Sequence, residues 1–346
     1  MGTRTVVIGA GVAGTLAARM LVRAGHAVTI VERERFPRDK ICGACLSPVA
    51  MRALREAGLE TLPGDFGSAE LTMLELHAGG RHAELPVAGG VVLSRATLDH
   101  ALLAATGAEL ITGVTAREQG EGRVELSDGR VLAADLVLRA TGLGGGKIAP
   151  RSLLGTGAVF DAGDFPRGRI IMAHAPAGYV GAAVGERDRL IVGAALRPAD
   201  AQRDGIGATV QRILAEAGRP PLPDHERWRG TPLLTRAVPK PFHGRTLLIG
   251  DAAGYVEPFT GEGMGWAMQS ALAAARVAAD GWREGLGEAW AAERDRILHT
   301  SQRRCRILTR AMRIPGAVPS AVRALRLFPS VASPLVRRTT AWASNS

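Results

Sequence analysis

The sequence predicts an α/β fold in which a Rossmann-type nucleotide-binding domain with a parallel sheet is interleaved with a smaller antiparallel-sheet substrate domain and followed by C-terminal helices. Three observations predict it. Thr3 to Ile8 is a short, β-branched apolar run that opens through Gly9, Gly11 and Gly14 into an Ala-rich helix running to about Ala24. A second run, Ala27 to Val31, ends on Glu32, about 20 residues past the glycines. Some 240 residues after the first glycine turn, the apolar run Thr246 to Ile249 leads into Gly250-Asp251-Ala252-Ala253-Gly254, then Pro258 and Gly261-Glu262-Gly263.

The first of these, Gly9-Ala10-Gly11-Val12-Ala13-Gly14, has the spacing of a pyrophosphate turn, with Gly9, Gly11, Ala13 and Gly14 as its cofactor positions. Gly9 permits the tight turn, Gly11 lets the backbone approach a phosphate, and Gly14 lets helix and strand pack closely, while the phosphate charge meets the helix N-terminus. A carboxylate at Glu32 suits the adenosine ribose hydroxyls and repels a 2′-phosphate, which favours FAD or NAD over NADP at this site. The second glycine string separates those two. Asp251, at the C-terminal end of its strand, can accept a hydrogen bond from a ribityl hydroxyl. Gly261 to Gly263 then open a small-residue helix, Met264 to about Trp282, whose positive end suits the flavin N1 and C2 carbonyl. NAD has no ribityl chain, so the two strings together predict FAD.

At this point the chain resembles the FAD-dependent aromatic-hydroxylase superfamily (the group A flavoprotein monooxygenases), and within it the branch of geranylgeranyl-reductase-like flavoproteins. Four stretches carry the resemblance across roughly residues 3 to 340. They are the glycine turn with Glu32-Arg33, the segment Phe36-Pro37-Arg38-Asp39-Lys40-Ile41-Cys42-Gly43 with Leu46-Ser47-Pro48, Arg95 with Leu98-Asp99, and the Gly250-Asp251 string. The resemblance implies Arg95 near the FAD phosphates, Asp251 at the ribityl chain, and Cys42-Gly43 with Pro258 to Gly261 beside the isoalloxazine. Arg33, Lys40, Gly142, Gly263 and Met264 complete the FAD-binding set expected on this basis, and NAD(P)H is the electron donor it implies. Two stretches depart from the pattern. Ala140-Thr141-Gly142 stands where hydroxylases carry an Asp-Gly pair, and the surroundings of Tyr179-Val180-Gly181 lack the Trp and Phe-Pro of the isoprenoid reductases.

On this plan the FAD-binding domain comes in three parts, 1–70, 95–152 and 241–290, the substrate domain in two, 71–94 and 153–240, and C-terminal helices occupy 291–346. Apolar runs around Gly79-Gly80 suit a hairpin over 71 to 85, Arg95 to Ala105 a helix, and Val124 to Leu132 a second hairpin turning at Asp128-Gly129. Strands near Thr156 to Phe160, Ile170 to Ala173, Tyr179 to Val184 and Leu190 to Ala195 suit an antiparallel sheet whose inner face roofs the flavin ring.

The formal net charge is +10, and Lys40, Lys147 and Lys240 are the only lysines, so the basic excess reads as a compositional preference for Arg. Aromatics are 4%, too few to interleave stacking residues with charge, and no nucleic-acid partner is expected. Three cysteines exclude a disulfide framework. Cys42 and Cys45 form a C-x-x-C with no second Cys or His pair at zinc spacing, so no metal is expected. Cys42 reads as a loop residue near the flavin, with a redox dithiol as the lesser alternative. No charge-free apolar stretch of about 18 residues occurs and the chain starts directly in a strand, which leads to the expectation of a cytoplasmic protein. From Arg294 to Arg313 and from Val318 to Arg338, basic and apolar residues alternate in broken helical periods punctuated by Pro315, Pro319, Pro329 and Pro334. The preferred reading is terminal helices that close over the substrate domain, with arginines snorkelling to water. Peripheral contact with a membrane is the alternative.

A flavin under an apolar sheet takes hydride from NAD(P)H and then either hydroxylates a ring with oxygen or reduces an alkene. The acid–base candidates are His174, His77, His82, Tyr179 and Glu262, and no spacing ties them together. Catalysis is expected to be flavin-centred, with Cys42, His174 and Tyr179 as the candidate side chains. The leading expectation is a monooxygenase of a hydrophobic aromatic or polyketide-like small molecule of secondary metabolism. The runner-up is an ene-reductase or dehydrogenase of the geranylgeranyl-reductase type acting on a hydrophobic alkene, and a third is a flavin-binding protein without turnover.

Overall fold

The computed structural model describes residues 2–120, 122–223 and 228–328. Pro329, Pro334 and the end of the second basic-apolar stretch lie outside the described residues. Two sheets organise the rest. The first has the strand order Phe242–His243, Thr246–Leu248, Leu136–Arg139, Arg4–Ile8, Ala27–Glu32, Glu109–Thr112. All neighbours run parallel except the short edge strand Phe242–His243. These strands are β-branched and apolar because helices cover them, chiefly Val12–Arg23 and Gly263–Val277, which pack against each other. Arg4–Ile8 sits between Ala27–Glu32 and Leu136–Arg139, so successive connections leave its C-terminal end in opposite directions. That is the crevice where open α/β sheets bind ligands.

The second sheet has eight strands, in the order Arg229–Leu233, Leu154–Asp161, Arg189–Leu196, Gly178–Val184, Arg169–Ala175, Ala69–Ala78, Arg81–Val92, Cys45–Leu46. The hairpin at Gly79-Gly80 and the four central strands form where the sequence predicts them. The sheet is not wholly antiparallel, however, since Arg169–Ala175 pairs parallel with Ala69–Ala78. The chain crosses the nucleotide domain between these two strands, and strands joined by a long crossover are free to run parallel. One face of the sheet packs Val180, Val184, Val192 and Leu196 against the helix Ile206–Glu216 through Val210 and Ile213. The opposite face looks toward the first sheet.

Two further differences from expectation have local causes. The helix after Gly261 spans Gly263–Val277 and stops short of Trp282, because the chain turns at Gly281. Its φ of +85° and a Cβ position only 2.7 Å from Thr3 Oγ1 admit only glycine there. The hairpin Arg123–Leu126 with Val131–Ala133 gains a third strand, Ala116–Glu118, and forms a small separate sheet.

The C-terminal helix Leu286–Ala311 is anchored on the nucleotide domain by fully buried Trp290, whose Nε1 donates to the Leu248 carbonyl at 3.0 Å. The helix Ala317–Leu327 folds back over the substrate sheet and buries Val322 and Leu325 against it. It closes over that domain as expected of the terminal helices.

A buried carboxylate helps to tie the two halves together. Glu186, in the turn between Gly178–Val184 and Arg189–Leu196, accepts from the Ser94 hydroxyl at 2.5 Å, from the Thr97 hydroxyl at 2.6 Å and from the Ser94 backbone N–H at 3.0 Å. Ser94 caps the helix Arg95–Ala104 through its own hydroxyl, which accepts from the Thr97 N–H at 3.2 Å. Burial raises the Glu186 carboxyl, but these hydrogen bonds outweigh it and hold the group below its ordinary range. Replacing Glu186 by Gln removes the charge on which all three bonds converge. It should cost about 1–3 kcal/mol, read as a lower urea midpoint at unchanged slope.

Candidate functional site

The glycine turn is shaped by backbone collisions that any side chain would cause. A Cβ on Gly14 would lie 1.9 Å from the Gly9 carbonyl oxygen, and one on Gly9, whose φ is +104°, would lie 2.6 Å from the Ala140 carbonyl oxygen. The turn is therefore locked between Ile8 and the Ala140 strand end, with the N-terminus of Val12–Arg23 exposed to the crevice. Glu32 reaches back to it, accepting from the Ala10 N–H at 2.8 Å and the Glu34 N–H at 3.0 Å. Ala13 follows on the same wall, close enough that a Cβ on Gly250 would meet its Cβ at 2.8 Å.

Three cations face this turn. From the Cβ position of Gly11, Arg95 Nη2 is 3.5 Å away and Arg38 Nη2 and Lys40 Nζ are each 3.8 Å away. Lys40 also faces Gly142, 3.4 Å from its Cβ position. Asp99 balances part of the charge, with Arg95 donating to it at 2.8 and 2.7 Å and Arg38 Nη2 lying 3.3 Å away. Lys40 is open to the cavity yet walled by protein, and that enclosure, then Arg95, pushes its ammonium below the ordinary range. Asp251 stands at the strand end as predicted, its carboxyl raised by burial against the pull of Lys40 and Arg95.

These groups line one cavity of about 1450 Å³ that runs between the two sheets. It is walled by Gly9, Gly11, Ala13, Glu32, Arg33, Lys40, Cys42, Gly43, Arg95, Gly142, Asp251, Pro258, Gly261, Gly263 and Met264. Gly14, buried behind the turn, serves packing and does not line it. Arg33 lies at the rim, exposed and 3.6 Å from Glu34. Cys42 and Cys45 are both free thiols, and Cys45, which donates to the Gly43 carbonyl at 3.2 Å, is pushed up to about 12 by burial and then by Cys42.

The other half of the cavity belongs to the substrate sheet. Gly157, Gly193 and Gly181 stand in register on three adjacent strands. A Cβ on Gly193 would lie 3.1 Å from the Gly43 nitrogen, so this row of glycines lets the Ile41–Gly43 loop lie directly on the sheet. Beyond it the wall is Leu74, Leu76, Ile170 and Met172 from the sheet and Val318 and Val322 from the last helix. His174 and Tyr179 line the cavity, and burial lowers the His174 imidazole. His77 sits at the edge, 3.1 Å from Glu75 and stacked on His82, which is exposed and off the wall. Glu262 is buried beside Thr260, whose hydroxyl donates to it at 2.7 Å, and does not reach the cavity.

Residues 2–118 match the family model of the FAD binding domain. Together with the fold and the cavity described above, this match identifies a FAD-binding domain in the chain. The chain is 27% identical over 344 residues to Menaquinone reductase of Mycolicibacterium smegmatis, covering 84% of this chain and 80% of that protein. It is 28% identical over 318 residues to Digeranylgeranylglycerophospholipid reductase 2 of Methanothermobacter thermautotrophicus, covering 81% and 78%. It also matches Conditioned medium factor receptor 1 of Dictyostelium discoideum, 26% identical over 308 residues and 76% of this chain, but spans only 60% of that protein. Among solved structures, pqsL of Pseudomonas aeruginosa, a probable FAD-dependent monooxygenase, has the same fold, with a TM-score of 0.72 at 18% identity over 92% of this chain and 99% of that one.

Sequence reasoning did not single out Glu257, Tyr255 or Phe259. They surround Pro258 in the loop before Gly261, where no charge or spacing pattern marks them. The Tyr179 ring meets Phe259 edge-on at 5.0 Å, and Glu257, only 3% exposed, neighbours the Tyr179 hydroxyl and lies 3.5 Å from Arg313. Burial raises the Glu257 carboxyl from 4.5 to about 7 against the pull of Arg313 and Tyr179. The folded chain thus holds this proton more tightly than the unfolded chain does. The stability it contributes is complete below pH 4.5 and is lost as pH rises toward about 7. In Glu257→Gln this part of the pH dependence should disappear, seen as urea midpoints that change less between about pH 5 and about pH 8 than in the parent.

Proposed function

We propose that the chain uses FAD, reduced by NAD(P)H, to hydroxylate a hydrophobic aromatic or polyketide-like molecule. The observation that carries this reading is where the aromatic residues stand. Both tyrosines of the chain, Tyr179 and Tyr255, line the cavity together with Phe259, next to the Pro258–Gly261 loop. Aromatic side chains at that point offer edge and face contacts to a planar ring.

FAD fits the residues present. Arg38 Nε is buried without a hydrogen-bond partner among the described residues, a donor that a phosphate oxygen would satisfy. Arg95, Arg38, Lys40 and the Val12–Arg23 N-terminus would hold the pyrophosphate, Glu32 the adenosine ribose and Asp251 the ribityl chain. Cys42-Gly43, Pro258, Gly261, Gly263 and Met264 would border the isoalloxazine, with the start of Gly263–Val277 aimed at its N1 side. Bound there, FAD supplies two-electron redox chemistry. Around it the protein excludes water and positions the substrate, and the substrate sheet with helix Ala317–Leu327 provides the apolar walls. Burial, then Glu257, raise the Tyr179 phenol, so that it stays protonated with its hydroxyl engaged by Glu257 and its ring left to face the substrate.

A second reading, reduction of a hydrophobic alkene, is favoured by the aliphatic stretch Leu74, Leu76, Ile170, Val318 and Val322. It is supported by the likeness to two proteins named as reductases.

Two measurements test these readings. Arg38→Met should weaken FAD binding by about 10- to 100-fold, followed by quenching of FAD fluorescence on titration with apoprotein; unchanged affinity would remove Arg38 from the phosphate site. Turnover under ¹⁸O₂ with NAD(P)H and a panel of phenolic and polyketide compounds should yield products that carry one labelled oxygen. Products gaining two hydrogens under anaerobic conditions, with no label in air, would establish the reductase reading instead.

A further inference from the structure

The charge of this protein is distributed unevenly. Of 43 basic and 33 acidic residues, ten arginines and no acidic residue lie after Asp295, which leaves 33 of each sign in residues 1–295. The whole formal charge of +10 therefore belongs to residues 296–346, and a chain-wide preference for arginine does not account for that segregation.

The described part of this segment leaves arginines exposed on two successive helices. Arg303, Arg304, Arg306 and Arg310 on Leu286–Ala311, and Arg323 and Arg326 on Ala317–Leu327, are exposed. None of the six has an ion-pair partner among the described residues, whereas upstream arginines such as Arg95, Arg169, Arg203 and Arg212 are paired with carboxylates. Arg303, Arg306 and Arg310 border a shallow groove of about 360 Å³ with His299 and Ile307. Large apolar side chains stand among them: Ile307 is 56% exposed, Ile314 61%, Leu327 61% and Phe328 62%. Among the described residues these are four of the eight large hydrophobic side chains that stand exposed.

We propose that these two helices dock on the surface of an anionic lipid membrane. Arginines with no internal partner would meet lipid phosphates, and the protruding Ile314, Leu327 and Phe328 would enter the acyl boundary. A nucleic-acid backbone would satisfy the charge but leave these apolar side chains in water. No helix among the described residues is long and apolar enough to cross a membrane, so the contact is peripheral. The same helix, Ala317–Leu327, turns Val318 and Val322 into the cavity, which places the docking face and the apolar end of the cavity on two sides of one element.

The test uses the full chain loaded with FAD and reads sedimentation, not turnover, so it stands or falls apart from the reaction proposed above. The protein should co-sediment with phosphatidylglycerol-containing vesicles, and less at high salt, while phosphatidylcholine vesicles should leave it in the supernatant. The variant Arg303→Glu/Arg306→Glu/Arg310→Glu should bind on the order of a hundredfold more weakly. The variant Leu327→Ser/Phe328→Ser should lose the part of binding that survives salt. Should the triple variant fail to fold, judged by its melting transition and flavin absorbance, Arg323→Glu/Arg326→Glu on the other helix serves the same purpose. Equal sedimentation with both kinds of vesicle, no sedimentation with either, or anionic-vesicle binding unchanged in the charge variants would overturn the proposal. So would tight binding to duplex DNA that competes with the vesicles and is lost in the same variants.

Discussion

Three positive side chains aimed at one point of backbone are the constraint on which this molecule depends. Arg38, Lys40 and Arg95 converge on Gly11 with only Asp99 bonded among them and Glu32 at the edge, 3.6 Å from Arg38. Like charges held this close in a walled crevice repel strongly unless an anion lies between them. The anion must approach the backbone itself, which is why the turn is made of glycines and why their collisions with Ala140 hold it in place. The rest of the architecture delivers these three cations. Arg38 and Lys40 arrive on the loop after Ala27–Glu32, and Arg95 on a helix whose first turn is held by Glu186 from the other sheet.

The cavity is completed by elements distant in sequence, each contributing what its neighbours lack. The nucleotide domain supplies polar and charged groups at strand ends, where backbone donors are free. The substrate sheet supplies area without side-chain polarity, and at Gly157, Gly193 and Gly181 almost without side chains. The last helix supplies aliphatic cover. A charged end and an apolar end in one continuous space suit an amphiphilic occupant.

How much of this is legible in the sequence follows from how local the signal is. The strand-turn-helix at Gly9, the terminal carboxylate Glu32 and the string at Asp251 announce themselves because each is a contiguous segment under steric constraint. The four central strands of the substrate sheet are legible as short apolar runs, and the hairpin from Gly79-Gly80. The parallel pairing of Arg169–Ala175 with Ala69–Ala78 is not, since it depends on a crossover through another domain. The helix end at Val277 is hidden because what stops it is contact between Gly281 and Thr3, nearly 280 residues apart. Glu257 and Phe259 are silent for a related reason. They gain meaning only when the strand with Tyr179 and the helix with Arg313 close over them, and no periodicity in the loop around Pro258 foretells that meeting.

Since residues 1–295 carry equal numbers of basic and acidic side chains, the catalytic body taken alone sits close to its own isoelectric condition near neutral pH. Proteins in that condition lose the mutual repulsion that keeps copies apart in solution. The arginines after Asp295 therefore serve a colloidal purpose whatever they touch. They give an otherwise electrically balanced chain an excess of one sign, and when that excess is neutralised by a bound counter-surface, neighbouring copies are free to crowd together on it.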